Sequence, residues 1–341
     1  MRERLCRTLG VTHPIVQAPM GGASCPALAA AVSNAGGLGM LALSWSSPEQ
    51  IRRQISDTKA LTDRPFGVNL VLAWDQSERL RACLDAGVSI VSFFWGDPAP
   101  YMATVRSAGG AVVQTVSTAA SAASAEALGV DVVVAQGWEA GGHVLGEVAT
   151  LPLTRAVVQA VTLPVLAAGG ISDGAGLAAA LALGAGGVWV GTRFLCTPEA
   201  AIHERYQALL LAADETSTVH STLFDGGWPD APHRVLRNET VTDWEQAGRP
   251  QAGGRPGEGR IIARGERGVV RLYDSATPGK GLQGEIDAMS LWAGQGVGQL
   301  RSVEAAGAVV TRMVEEADAI LRGLATRGLV VGRGPVGPPH R

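Results

Sequence analysis

One rhythm constrains this chain more than any other feature. Short apolar runs recur at 14–18, 37–42, 66–70, 88–94, 111–116, 131–136, 164–168 and 187–191. Each is followed by glycines or polar turn residues and then by an Ala/Leu-rich stretch of helical periodicity. Nearly continuous β-branched runs such as VDVVVAQ suit strands covered on both faces. Helical stretches such as SERLRACLDAG and DGAGLAAALALGAG end in glycine, as helix C-termini do. Eight β-α units of this kind predict an α/β fold, a closed (β/α)8 barrel of the TIM class. An open doubly wound sheet is the alternative.

After Phe194 the rhythm breaks. A helical stretch, EAAIHERYQALLLAAD, leads into TSTVHSTLFDGGWPDAPHRVLRN and then a Gly/Pro-rich run, QAGGRPGEGR. This predicts a smaller α/β insert domain at 200–283 that caps the substrate, with the barrel formed by 1–199 and 284–325. An amphipathic helix over 302–324 is expected to pack back on the barrel, and 326–341 to form a flexible tail.

Composition narrows the function classes. Of 341 residues 46% are apolar and 17% charged, enough to bury a large core. A net charge of −3 offers nothing to nucleic acid or an anionic membrane. No run of 18 apolar residues predicts a spanning helix, and MRERLCRTLG lacks the apolar core of a signal peptide. Cys6, Cys25, Cys83 and Cys196 are scattered, with no CxxC and no metal spacing, which suits a reduced, cytoplasmic chain.

In such a barrel the chemistry sits where strands end. The seventh and eighth runs close in AAGGIS and GTRF. Glycine-bearing loops there predict a phosphate site made of backbone N–H groups, because a Cβ would block the phosphate. The sixth run closes in AQGWEAGGH. Gly141 and Gly142 would let the backbone pass close to a bound planar group, and His143 would face the barrel mouth as base, acid or hydrogen-bond donor. Glu139 could orient His143, cap the next helix or be solvated. His143 and Glu147 have helical spacing, but no second histidine completes a zinc motif. His13 precedes the first strand and belongs to the opposite, stability face of the barrel.

PIVQAPMGG, AVSNAGGLG, FGVN, AQGWEAGGH, LPVLAAGGI and GTRF, in this order, together with FDGGWPDAPHRVLRN and LWAGQGVGQLR, resemble the nitronate monooxygenase family, formerly called 2-nitropropane dioxygenases. The resemblance spans about residues 10–325. It implies FMN in the barrel mouth and no metal. Pro19, Met20 and Gly21 would meet the flavin ring through backbone, and Asn69 and Gln136 would hydrogen-bond the flavin or its ribityl chain. Gly141 and Gly142 would line the cofactor, while Gly169, Gly170, Gly191 and Thr192 would hold the phosphate. Gln295 would reach the site from the return segment. His143 matches the family's active-site histidine, positioning the nitronate or removing the proton beside a nitro group. Phe94, Trp95 and Trp138 are candidate pocket walls.

The implied activity is oxidation of an alkyl nitronate by O2 to a carbonyl compound and nitrite, with propionate 3-nitronate as the default substrate. The partners are then a small nitronate or nitroalkane and O2, with no nucleic acid or membrane, and a homodimer is the prior for a soluble enzyme. Two alternatives stand beside this reading. One is an FMN-dependent NAD(P)H reductase, acting on enoyl-acyl-carrier-protein or quinone. The other is a flavin-binding partner protein with little activity of its own.

Overall fold

The computed structural model describes residues 1–266 and 268–327. Eight parallel strands form one sheet: β1 (Ile15–Gln17), β2 (Gly39–Ala42), β3 (Phe66–Val71), β4 (Ile90–Phe94), β5 (Ala111–Val116), β6 (Val132–Gln136), β8 (Val165–Ala168) and β9 (Gly187–Val190). The two-residue strand β7 (Gly142–His143) lies outside it. Sheet order is β1-β9-β8-β6-β5-β4-β3-β2, and a parallel bridge between Val16 and Leu38 brings β1 back to β2. The barrel reading holds, and the open-sheet alternative falls.

Closure at β1/β2 uses a side chain. The Gln17 N–H donates to Leu38 O at 2.9 Å, and Gln17 Oε1 accepts the Met40 N–H at 2.9 Å. A glutamine facing the neighbouring strand thus replaces a ladder bond. Gly39 is glycine for packing: an added Cβ would lie 2.0 Å from Ala29 O on the helix above.

Helices α1 (Arg2–Leu9), α2 (Pro26–Asn34), α3 (Pro48–Lys59), α4 (Ser77–Asp85), α5 (Ala99–Ser107), α6 (Ala119–Ala127), α7 (Thr150–Ala160) and α8 (Gly174–Ala182) accompany the strands. The barrel interior is filled, not hollow. Val16, Met40, Ile90, Val113, Val132, Val134, Leu166 and Trp189 pack there with Leu5 and Leu9 of α1. Interior layers of branched side chains are what this fold requires.

After β9 come α9 (Thr192–Leu195), α10 (Glu204–Ala212), β10 (Thr218–Ser221), β11 (His233–Leu236), α11 (Glu239–Gln246), β12 (Ile261–Gly265), β13 (Gly268–Arg271), β14 (Gln283–Gly284) and α12 (Ala306–Arg327). Strands β12, β13 and β14 form one antiparallel sheet. In a second sheet, β10 pairs β11, and β11 pairs β7 from the barrel's own loop. Tyr206, Leu210, Phe224 and Val235 of this segment share a core with Ile15, Leu28 and Val188 of the barrel.

Helix α12 starts at Ala306, four residues later than the periodicity predicts. Glu199 at the barrel exit accepts the Ala306 N–H at 3.1 Å, and Glu304 is drawn into ion pairs with Arg193 (2.8 Å) and Arg312 (2.9 Å). Helix α10 likewise starts late, because His203 Nδ1 accepts the Arg205 N–H at 3.0 Å and ends the extended approach. Residues 328–341, most of the expected tail, lie outside the described residues, and α12 runs on through Arg327. Among the described residues, no helix is long and apolar enough to cross a membrane.

Candidate active site

A cavity of about 450 Å³ opens at the C-terminal ends of the barrel strands. Its lining includes Pro19, Met20 and Gly21 after β1, Asn69 on β3, and Gln136 at the end of β6. Gly141, Gly142 and His143 line it from the loop after β6, Gly169 and Gly170 from that after β8, and Gly191 and Thr192 from that after β9. The structure therefore brings His143 and the residues expected to meet the cofactor to one cavity, whereas Gln295, Trp95 and Trp138 are not in its lining.

The two glycines before His143 answer to different constraints. Gly142 has φ +75°, and among the described residues nothing beyond its chain neighbours lies within 4 Å of where its Cβ would stand. It is needed for its backbone angle and faces open space. A Cβ on Gly141 would instead lie 2.4 Å from Gly294 N. That glycine admits the return segment, and this close approach was not visible in the local sequence. Gly294 and Gly296 line the cavity, while Gln295 between them does not. The Gln295 N–H donates to Glu139 O at 2.9 Å.

His143 is aimed by a strand pairing that joins distant segments. It stands opposite His233 in the β7/β11 register, and the Val144 N–H donates to Pro232 O at 2.9 Å. From the barrel side, Gln136 Nε2 donates to His143 O at 3.1 Å. The His143 Nε2 lies 3.3 Å from Ser275 Oγ, and the buried His143 Nδ1 has no hydrogen-bond partner among the described residues. The ring packs 4.0 Å from Trp228, 5.3 Å from Trp292 and 5.9 Å from Trp95, centroid to centroid. Burial among these rings pushes the imidazole pKa down to about 3, with His233 adding to the effect.

His233 is itself pushed down to about 4 by burial. Its Nε2 accepts the Phe224 N–H at 3.2 Å, so its Nδ1 carries the proton toward Ala231 O, 2.9 Å away. Both imidazoles are neutral at neutral pH.

Glu139 takes the capping role. Its Oε2 accepts from the Thr150 N–H at 2.6 Å and the Thr150 hydroxyl at 2.7 Å, at the start of α7. It does not touch His143. Of the expected walls, Phe94 lines the cavity, whereas Trp95 stands behind it. Trp138 turns away, with the buried Arg234 guanidinium 4.2 Å over its ring and hydrogen-bonded to its carbonyl at 2.9 Å.

Several cavity residues escaped the local reading. Ser172, Ser275, Thr277, Trp228 and Trp292 all line it. Trp228 and Trp292 lie in FDGGWPD and LWAGQ, motifs that signalled kinship but no position. Thr277 Oγ1 donates to Gly21 O at 2.5 Å and accepts from Trp292 Nε1 at 3.0 Å, tying the loop after β13 to the loop after β1. The Thr192 hydroxyl accepts the Gly294 N–H at 3.0 Å, so it secures the return segment.

The loops after β8 and β9 fit a phosphate group. Among the described residues, no acceptor takes the N–H groups of Gly170, Ile171, Gly191 and Thr192. A Cβ on Gly191 would have Ala18 and Met20 as its nearest neighbours, at 3.7 and 3.9 Å, so the chain does not fill this space. Unpartnered N–H groups on two glycine-bearing loops that line one cavity suit an anion.

Fold and site together describe a (β/α)8-barrel enzyme with a cavity at its strand ends and a neutral histidine in the cavity wall. The chain belongs to the nitronate monooxygenase family, whose model matches residues 2–81 and 72–316, and it is an oxidoreductase. A nitronate monooxygenase of Pseudomonas aeruginosa is 34% identical, over 93% of this chain and 99% of that one. A relative in Rhodococcus jostii, named (3aS,4S,5R,7aS)-5-hydroxy-7a-methyl-1-oxo-octahydro-1H-indene-4-carboxyl-CoA dehydrogenase, is 41% identical over 73% of this chain and 69% of its own. The solved structure of FabK from Thermotoga maritima superposes with a TM-score of 0.81 at 31% identity, covering 95% of this chain and 99% of that one.

Proposed function

We propose that this protein is an FMN-dependent enzyme that oxidises alkyl nitronates with O2 to a carbonyl compound and nitrite. The observation that carries the reading is that His143 and all the expected cofactor residues line one and the same cavity. FMN, when bound, supplies the electron acceptor. The N–H groups of Gly170, Ile171, Gly191 and Thr192 hold its phosphate, in the loops that Gly169 helps to shape. The backbone of Pro19, Met20 and Gly21 and the carboxamides of Asn69 and Gln136 meet the rest of it, with Gly141 and Gly142 alongside.

His143 then orients the substrate. A pKa of about 3 makes it a poor base at neutral pH, so it does not deprotonate a neutral nitroalkane. The substrate arrives already ionised, and a neutral imidazole with Ser275 beside it hydrogen-bonds the nitro oxygens. The insert, 200–283, caps the mouth. The reading includes a cytoplasmic homodimer with no nucleic-acid or membrane partner.

A reductase or dehydrogenase reading is favoured by the likeness to FabK and to the carboxyl-CoA dehydrogenase. One experiment separates the two. The FMN-loaded protein is mixed anaerobically with ethyl nitronate, and separately with NADH and NADPH, while the yellow absorbance is followed. Bleaching by the nitronate alone, with nitrite release in air, supports the oxidase. Bleaching by a nicotinamide alone overturns it.

A further inference from the structure

We propose that the cavity selects nitronates carrying an uncharged aromatic ring and disfavours short nitronates carrying a carboxylate. This deepens the reading above and rests on it.

The first observation is a ring cluster at the mouth. Trp228, from the insert, lies 6.0 Å from Trp45, 5.2 Å from Trp74 and 5.1 Å from Trp95, which belong to the loops after β2, β3 and β4. His143 packs against it as well, at 4.0 Å between ring centroids. Trp45 lines the cavity yet is 54% exposed, and Trp74 beside it is 38% exposed. Two half-exposed indoles at a cavity edge leave apolar, π-faced area for a ligand to cover. Trp95 adds a second sign. It has φ +60°, a costly angle for a bulky residue, and this bend sets its ring against both Trp228 and His143.

The second observation is charge. Among the described residues, no Asp, Glu, Lys or Arg lines the cavity. Arg193, nearest in sequence to the Gly191–Thr192 loop, is paired with Glu304 at 2.8 Å. A carboxylate on the substrate would lose its hydration and find no cation among the described lining residues, whereas a ring would lose water and gain indole faces.

The test uses FMN-loaded protein and two readouts. The first compares kcat/KM for the nitronates of 2-phenyl-1-nitroethane, nitroethane, 1-nitropropane and 3-nitropropionate. The phenyl compound is expected to exceed nitroethane roughly tenfold, and 3-nitropropionate to fall roughly tenfold below 1-nitropropane. Trp45→Ala, at an exposed position, should cut the phenyl advantage about fivefold, and Trp228→Phe, which keeps a ring at the buried position, about twofold. The second readout is calorimetric titration with nitrobenzene, which cannot form a nitronate, against nitromethane. Saturable binding of nitrobenzene alone, weakened in Trp45→Ala, supports the ring site even if no nitronate is turned over, an outcome that would sink the oxidase reading separately. Turnover of all four nitronates without ring preference, or tighter use of the carboxylate compound, overturns the ring proposal and leaves the oxidase standing.

Discussion

His143 and His233 face each other across the β7/β11 pairing with ring centroids 5.6 Å apart, and burial keeps both neutral. Their folded pKa values, about 3 and about 4, lie below the ordinary 6.5. Above that value neither state binds the proton, so the pair does not alter stability. As pH falls below it, the unfolded chain takes up protons that the folded chain refuses, and stability is lost until the folded values are passed. Each buried imidazole contributes a slope of up to about 1.4 kcal/mol per pH unit in this window. The melting temperature should therefore be flat above pH 7 and fall steadily from pH 6.5 to 4. His233→Gln should lessen that slope, and an unchanged slope would contradict the assignment.

Removing the imidazole at the site should separate binding from turnover. His143→Ala is expected to purify yellow, with FMN retained, while nitronate turnover falls by roughly a hundredfold or more. Oxygen uptake and nitrite release measure the loss. Because the wild-type imidazole is neutral throughout, kcat/KM for a preformed nitronate should not show a His143 titration between pH 6 and 9. A break near pH 6.5 that disappears in His143→Ala would mean that the ring is protonated in the working enzyme.

The phosphate loop makes a different prediction. Gly191→Ala puts a methyl group 3.7 Å from its nearest neighbour in the chain, so the fold should hold. That methyl group would stand among the free N–H groups, and FMN affinity should drop at least about tenfold by the loss of one or more charge-assisted bonds. Fluorescence titration of the apoprotein with FMN reads this directly. Wild-type affinity in the variant would place the phosphate elsewhere.

Gly141 and Gly142 should differ when replaced. Gly142→Ala meets open space and carries only the backbone cost of a left-handed angle, about 1–2 kcal/mol. Gly141→Ala collides with Gly294 N at 2.4 Å and must push the return segment off the site. The first variant should lose a few degrees of thermal stability and keep FMN. The second should lose both, as seen by melting and by flavin content of the purified protein.

Glu139→Gln tests the capping assignment. The carboxylate accepts two hydrogen bonds at the positive end of α7, an arrangement worth about 1 kcal/mol. The variant should melt about 2 °C lower, with an unchanged pH profile for nitronate turnover. A shifted profile would return Glu139 to the neighbourhood of His143.

Much of this molecule was legible before any coordinates. Each barrel strand is short and largely buried, and each is followed by glycines or polar turn residues and then by a helix. Those are local properties of torsion and burial, and the residues that carry them are neighbours in sequence. The cavity residues that follow the barrel strands were legible for the same reason, since a barrel presents whatever ends its strands to one mouth. The sequence alone therefore determined the barrel and the loops that meet at its mouth.

What only the tertiary structure decided concerns partners far apart in the chain. Ser275 reaches His143 across 132 positions, and Thr277 reaches Gly21 across 256. Gly141 is small for the sake of Gly294, and Glu139 serves Thr150 although His143 is closer in sequence. The ring cluster needs Trp228, between β10 and β11, to meet the loops after β2, β3 and β4. No periodicity encodes such meetings. They depend on which surfaces are left uncovered once the barrel has closed, and packing settles that over the whole chain at once.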